Sequence, residues 1–178
     1  MSKDTQLSDS DGVVLVKTAR KAVTEFLSNG NRIKLESDLE EKFSFNSGVF
    51  VTLNNPDGLR GCIGFPMPEK KLSHGIIDAA ISAATEDPRF PSVKTNELND
   101  IVFEVTVLTP PVEIDVSDPT EYLEKIKVGR DGLIIKHSFH PACYCHKFLS
   151  NMVGMWKNFS NTHVKRLGWQ EIPGKMKV

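Results

Sequence analysis

Residues 49–65 read VFVTLNNPDGLRGCIGF, and this stretch decides the predicted fold. Residues 49–53 are rich in β-branched and aromatic side chains, which are typical of strands. Residues 54–58, NNPDG, carry strong turn chemistry. Together they predict a β-hairpin whose second strand runs over residues 59–65. Cys62 is therefore expected in or at the end of a strand, close to two glycines.

The hexapeptide Leu59-Arg60-Gly61-Cys62-Ile63-Gly64 places a thiol between two glycines and two positions after a cation. Glycine lets the backbone reach positive φ and lets another group come close. An exposed Cys62 near Arg60 could have its thiolate stabilised. Alternatively, Cys62 is a small buried residue in a strand-to-loop turn, because free cysteines are among the most buried residues. Both interpretations stay open on the sequence.

Two amphipathic helices are predicted, one before the hairpin in the sequence and one after it. Asp11 can cap a helix that runs to about Ser28, with its apolar residues on one face. Residues 35–42 are charged and predict a short helix or turn. Residues 72–85 predict the second long helix, whose broad apolar stripe includes alanines suited to close packing.

The later segments complete the predicted fold. Residues 87–91, DPRFP, form an irregular loop, because two prolines prevent regular strand pairing. Residues 101–108 are the clearest strand, with Glu104 on the face opposite most of its apolar side chains. A short helix over residues 121–126 and a strand over residues 133–136 follow. The fold class is α+β, with a mostly antiparallel sheet packed with helices.

Composition excludes several classes of protein. The chain has 178 residues, a net charge of −1 and three cysteines. A near-neutral charge argues against nucleic-acid binding, and no apolar run approaches the ~20 residues needed to cross a bilayer. Residues 1–10 are polar, carry no signal-peptide core and are expected to be disordered. An odd number of cysteines is unlike a disulfide framework, so we expect a reducing compartment, the cytoplasm.

Several separated motifs occur in an order that resembles the AMME chromosomal-region (AMMECR) family. They are the hexapeptide, the helix after it, DPRFP at 87–91, EVTVL at 104–108 and GRDGL at 129–133. The resemblance covers residues 11–136, and we place the family domain, incomplete at its C-terminus, at residues 11–140. It implies an α+β fold with a larger and a smaller lobe, and it names no settled reaction. Family members are often encoded with, or fused to, Memo-type and radical-SAM-type proteins, which are therefore candidate partners.

Carried over by position, the resemblance offers a set of candidate site residues: Arg60, Cys62, Asp87, Arg89, Glu104 and Arg130. Cys62 could be a nucleophile or redox thiol if a partner exchanges protons with it. Arg60 and Arg89 could bind a small anionic substrate in a bidentate fashion, with Gly61 and Gly64 counted among the substrate-binding residues. The alternative hypothesis is a non-catalytic binding or scaffold module that serves a Memo-type or radical-SAM-type protein.

The other candidates each have a structural alternative. Glu104 lies in an apolar strand, where burial would favour its protonated form and make it a general acid or base; equally, it could be a buried partner for an arginine. We interpret Asp87 as a turn-forming residue and Arg130 as part of a solvated loop. His74 could approach Cys62, although a surface histidine near a helix cap is the favoured interpretation.

Residues 141–178 depart from the family pattern. Five competent zinc ligands cluster near the start of this tail: His137, His140, Cys143, Cys145 and His146. The Cys143-x-Cys145 spacing lacks the two-residue separation of common zinc knuckles, so we predict no metal and no cofactor. Codons for residues 142–160 can be chosen that, read two nucleotides out of phase, give a family-like continuation. We therefore interpret the tail as a frameshift product, which the nucleotide sequence tests.

Overall fold

The first helix, α1 (Asp9–Asn29), begins with a complete capping box. The Ser8 hydroxyl accepts the Asp11 N–H at 3.3 Å, and the Asp11 carboxylate accepts the Ser8 N–H at 3.0 Å. The prediction that Asp11 is the cap was wrong, because Ser8 takes that position and Asp11 completes the box three residues later. Asp9 and Ser10, which we had assigned to a disordered N-terminus, lie in the helix. Gly30, at φ +74°, ends the helix, close to the predicted end at about Ser28.

The computed structural model describes residues 7–118, 121–127, 131–136, 141–144 and 163–170. It divides the chain into two units, Met1–Val107 with Gln170–Val178, and Leu108–Trp169. Among the described residues, no helix is long and apolar enough to cross a bilayer.

The first unit contains the predicted hairpin. Strands β1 (Gly48–Asn55) and β2 (Gly58–Phe65) pair antiparallel, and β3 (Val102–Leu108) lies on the other side of β1. The order β2-β1-β3 leaves β2 at the edge of the described sheet. The second long helix, α3 (Leu72–Thr85), has the bounds that the sequence predicts.

Helices α1 and α3 pack on one face of this sheet. Val49, Val51 and Leu53 of β1 are buried on that inner face, while Phe50, Thr52 and Asn54 are half-buried on the outer face. Strand β3 shows the same alternation, so Glu104 and Thr106 belong to its outer face, as predicted. The shared core comprises residues of α1, α3, β1 and β3 together with Phe43 and Ile101 from the connections, and it includes Leu15, Val23, Leu72, Ile76 and Phe103.

Two short elements and one arginine complete the first unit. Helix α2 (Ser37–Lys42) and a 3₁₀ helix (Thr95–Glu97) lie in the connections. Arg20 of α1 donates hydrogen bonds to the carbonyls of Leu98 and Ile101 at 3.0 and 2.5 Å. Its guanidinium also lies 4.7 Å from the centre of the Phe103 ring. Arg20 therefore connects α1 with the residues before β3 through hydrogen bonds and with Phe103 of β3 through its guanidinium.

The described part of the second unit contains antiparallel strands and a short helix. Strand β7 (His163–Gln170) pairs with β4 (Val112–Glu113) and with β5 (Asp131–Lys136), and β5 also pairs with β6 (Pro141–Tyr144). Helix α4 (Glu121–Lys125) precedes β5. Antiparallel strands packed with helices confirm the predicted α+β class.

Candidate functional site

Arg60 is the extra residue of a β-bulge. Leu53 pairs with Gly61 but Asn54 pairs with Leu59, so one residue of β2 has no counterpart on β1. A bulge bends its strand and redirects a side chain. The Arg60 guanidinium donates from Nε and Nη2 to Glu97 at 2.8 and 3.1 Å, and from Nη1 to the Pro91 carbonyl at 2.9 Å.

Glu97, the partner of Arg60, escaped prediction. Its Oε1 also accepts the Lys94 N–H at 2.7 Å, which fixes the carboxylate at the 3₁₀ helix. The hydrogen bond from Arg60, followed by the one from Lys94, lowers the pKa of Glu97. The one local signal for Glu97 is its place three residues after Lys94, the spacing of a capping glutamate. Nothing local indicates its pairing with Arg60, 37 residues away.

Cys62 lies on the open edge of β2, where side chains replace a strand partner. Its N–H donates to Asp87 Oδ2 at 2.8 Å, and its carbonyl accepts a hydrogen bond from Arg89 Nη2 at 3.2 Å. The main chain of Cys62 therefore faces away from β1, which makes Cys62 and Thr52 a non-hydrogen-bonded pair with close side chains. Thr52 Oγ1 lies 3.3 Å from the half-buried Cys62 Sγ, on the outer face.

Asp87 accepts more hydrogen bonds than any other carboxylate of the described site. Besides the Cys62 N–H, it accepts the Arg89 N–H at 3.1 Å, Arg89 Nε at 2.9 Å and Arg89 Nη2 at 2.7 Å. Its side chain is 2% exposed. The Arg89 guanidinium, aided by the two backbone N–H groups and opposed by burial, lowers the pKa of Asp87 to about 2. Asp87 thus forms the predicted turn and also anchors Cys62, a contact the sequence did not reveal.

Arg89 remains half exposed, at 49%, although Asp87 holds it. The Asp87 hydrogen bond raises the pKa of Arg89, burial opposes this, and charges on Asp87 and Cys62 add to the rise. Its Nη1 donates no hydrogen bond to any residue that the structure describes. A cation whose Nη1 has no partner among the described residues therefore contacts the main chain of Cys62.

The two glycines of the hexapeptide are required by space and not by φ. Of the described residues, only Gly30 and Gly58 have positive φ, so Gly61 and Gly64 do not have left-handed backbone. A Cβ on Gly61 would overlap the carbonyl oxygen of Ala83 in α3. A Cβ on Gly64 would overlap the Val49 carbonyl and the Phe50 ring. Close packing around β2 accounts for both.

The remaining candidates are dispersed. Glu104 shares the outer face with Cys62 but lies two strands away, a separation of about 9.5 Å between strand axes. Proton exchange between the two side chains therefore needs a bridging water or substrate atom. Its role as an acid or base stays a prediction. The carboxylates bonded to Arg60 and Arg89 are Glu97 and Asp87. The exposed His74 lies 3.4 Å from Glu40.

Most of the possible zinc ligands fall outside the described residues. Arg130, His137, His140, Cys145 and His146 lie outside the described residues, and Cys143 is described only as part of β6. Within the described ranges, no three His, Cys, Asp or Glu side chains are grouped to hold a metal ion.

A groove of about 520 Å³ adjoins the Arg60–Glu97 pair. Phe90 and Pro91 supply apolar surface, and Lys94 lies among its polar lining. This volume is within the range of small-molecule sites. The groove is next to Arg89 along the chain, because Phe90 follows Arg89 directly.

Comparison with known proteins supports the resemblance to the AMMECR family. The family model described as AMMECR1 matches residues 16–170. This chain belongs to the AMMECR1 family. The match extends beyond residue 140, where we had ended the family domain.

AMMECR1 relatives and one solved structure support this assignment. A protein of Methanothermobacter thermautotrophicus is 50% identical over 133 residues, covering 75% of this chain and 69% of the relative. A protein of Methanocaldococcus jannaschii is 49% identical over 136 residues, covering 75% and 67%. The crystal structure of uncharacterized protein PH0010 from Pyrococcus horikoshii is similar with a TM-score of 0.83 and 36% identity, over 94% of this chain and 95% of that one. These names specify no activity.

Proposed function

We propose that this AMMECR1-family protein uses Cys62 as a nucleophile or redox thiol on a small anionic substrate that Arg89 binds. One observation carries the proposal: a single buried carboxylate, Asp87, holds both the Cys62 main chain and the Arg89 guanidinium. A half-exposed thiol and a half-exposed cation are thereby kept together on one edge of the sheet.

The chemistry follows from these neighbours. Cys62 would react as its thiolate, which supplies the electron pair for a new bond to sulfur, with Thr52 Oγ1 and the Arg89 guanidinium as its polar neighbours. The free Nη1 donors of Arg89 can bind a carboxylate or phosphate of the substrate. Arg60 lines the groove, where an uncharged part of the substrate has room. Glu104 would exchange protons through water or substrate across the outer face.

The alternative is a binding or scaffold module for a Memo-type or radical-SAM-type protein. The feature that favours it is the position of Asp87 and Arg89 on the edge of β2. Covered edges prevent unwanted strand pairing, and the two hydrogen bonds to Cys62 would serve that structural purpose without any chemistry. Thiol reactivity distinguishes the two functions.

The test compares two alkylating reagents of similar size, anionic iodoacetate and neutral iodoacetamide. The thiolate attacks the CH₂ carbon of either reagent and displaces iodide. Peptide mass spectrometry measures alkylation of Cys62 separately from that of Cys143 and Cys145. The reference is the iodoacetate-to-iodoacetamide rate ratio of Cys62 in the urea-unfolded chain. We expect folding to raise this ratio by about threefold or more, and added salt to reduce the rise.

Variants separate the local cation from the general charge of the protein. Arg89→Gln should return the ratio to its unfolded value, whereas Lys21→Gln, which removes an exposed cation of α1 outside the site, should leave it raised. Slow labelling of folded wild-type protein with no preference for the anionic reagent would overturn the proposal and favour the scaffold function.

A further inference from the structure

We propose that Asp87 is a positioning residue of this site, which aligns the thiol and the substrate-binding cation with one carboxylate. The inference rests on the proposed function, since it concerns how Arg89 is kept beside Cys62. Arg89 attracts an anionic substrate to Cys62 only because Asp87 fixes the position of its guanidinium.

The hydrogen bonds form a closed ring through three residues. Cys62 N–H donates to Asp87 Oδ2 at 2.8 Å, Arg89 Nη2 donates to the same oxygen at 2.7 Å, and Arg89 Nη2 also reaches the Cys62 carbonyl at 3.2 Å. Both main-chain groups of Cys62 therefore belong to one ring with Arg89. A shift of the Asp87 carboxylate would move the cation and the strand residue together.

Arg89 would not hold this position unaided. Its side chain is half exposed, and long exposed side chains lose conformational entropy when they adopt one geometry. Asp87 compensates, because it is almost fully buried and receives Nε and Nη2 of the guanidinium on its two oxygens. A two-point pairing of this kind fixes orientation as well as distance. Pro88, directly after Asp87, limits the backbone of the loop.

An amide at position 87 cannot replace the carboxylate. Asp87 accepts four hydrogen bonds through two oxygens. Asparagine has one accepting oxygen, and its NH₂ group would face an N–H donor of Cys62 or Arg89. Asp87→Asn keeps the size of the side chain but should release the guanidinium.

The experiment measures the iodoacetate-to-iodoacetamide ratio at Cys62 in the full chain. Asp87→Asn should lower the ratio to the value of Arg89→Gln, a loss of about threefold or more. Asp57→Asn is the matched control: it makes the same chemical change at an exposed turn residue of the hairpin and should leave the ratio at the wild-type value. A purely structural role for Asp87 would change both alkylation rates equally and leave their ratio intact.

A second variant keeps the inference testable if Asp87→Asn does not fold. Arg89→Lys retains the charge but lacks the planar fork, so it cannot make the paired bonds to Asp87. We expect the ratio to fall in this variant also. The inference is overturned if Asp87→Asn or Arg89→Lys keeps the full preference while Arg89→Gln loses it. If wild-type protein shows no preference, the proposed function fails and the positioning role fails with it.

Discussion

Arg60 and Glu97 form a two-point ion pair, with Nε to Oε2 at 2.8 Å and Nη2 to Oε1 at 3.1 Å. The two partners differ in exposure: the Arg60 side chain is 10% exposed and that of Glu97 is 32% exposed. The pair connects the bulge of β2 to the 3₁₀ helix, and the Pro91 carbonyl adds the loop between them. The loss of unfolding free energy should therefore depend on which of the two partners is replaced.

Glu97→Gln should destabilise the first unit more than Arg60→Met does. The glutamine leaves a buried guanidinium without its anion, at a cost of about 2 kcal/mol, whereas the methionine leaves a carboxylate that water can reach, at about 1 kcal/mol. Urea denaturation measures both. Glu41→Gln, at an exposed helical position, should change the free energy of unfolding by less than about 0.5 kcal/mol. A larger loss for Arg60→Met would show that packing of the arginine chain outweighs its charge.

Gly61→Ala should cost about 3 kcal/mol, because the new Cβ would meet the backbone oxygen of Ala83 and force β2 away from α3. The comparison is Gly30→Ala, where the Cβ has open space but φ is +74°. Left-handed backbone strain there should cost only about 1 kcal/mol. Thermal and urea unfolding would rank the two variants. Equal losses would mean that α3 can shift to accommodate the methyl group.

Local patterns predicted the hairpin, α3 and β3, since turn chemistry and hydrophobic period act within a few residues. The turn between β1 and β2 lies at Pro56 and Asp57, within the residues whose chemistry predicts it, and the alternation around Glu104 needs only the strand itself. The contacts of the site are of another kind. Asp87 lies 25 residues from Cys62, and no periodicity brings them together. The pairing depends on where the loop after α3 meets the edge of β2.

The origin of the C-terminal tail stays a prediction. The family match reaches residue 170, and strands β6 and β7 lie in the segment that we interpret as frameshifted. If codons shifted by two nucleotides do not encode a family-like continuation after residue 141, the frameshift hypothesis is wrong. The nucleotide sequence of the gene decides this without any structural measurement.

Cys62→Ser should leave folding nearly intact, with a loss below about 1 kcal/mol, because the side chain is half-buried and faces the Thr52 hydroxyl. A loss above about 2 kcal/mol would indicate that Cys62 is chiefly a packing residue. Denaturation in urea measures the difference from wild type.

Thr52→Val should slow alkylation of Cys62 near neutral pH by about fivefold. The valine keeps the shape of the side chain but removes the hydroxyl 3.3 Å from Sγ, which can donate to the thiolate and stabilise it by about 1 kcal/mol. Rates with neutral iodoacetamide test this without any effect of reagent charge. Unchanged rates would show that the hydroxyl does not donate to the sulfur.

Because of Asp87, the free energy of unfolding should depend on pH in acidic solution. Its pKa is lowered from 3.8 to about 2, chiefly by the Arg89 hydrogen bond, so the folded protein releases this proton more readily than the unfolded chain does. A lowered pKa contributes stability above the unfolded value, and that contribution is lost as the pH falls from 3.8 towards 2. The shift corresponds to about 2 kcal/mol.

Asp87→Asn lacks this titration and provides the measurement. The difference in unfolding free energy between wild type and variant should be constant from about pH 7 to pH 5 and shrink by about 2 kcal/mol as the pH approaches 2. Other carboxylates with lowered pKa values, such as Glu97, titrate in both proteins and cancel. A difference that stays constant down to about pH 2.5 would mean that Asp87 binds its proton equally in the folded and unfolded states. The ring through Cys62 and Arg89 would then contribute no charge-dependent stability.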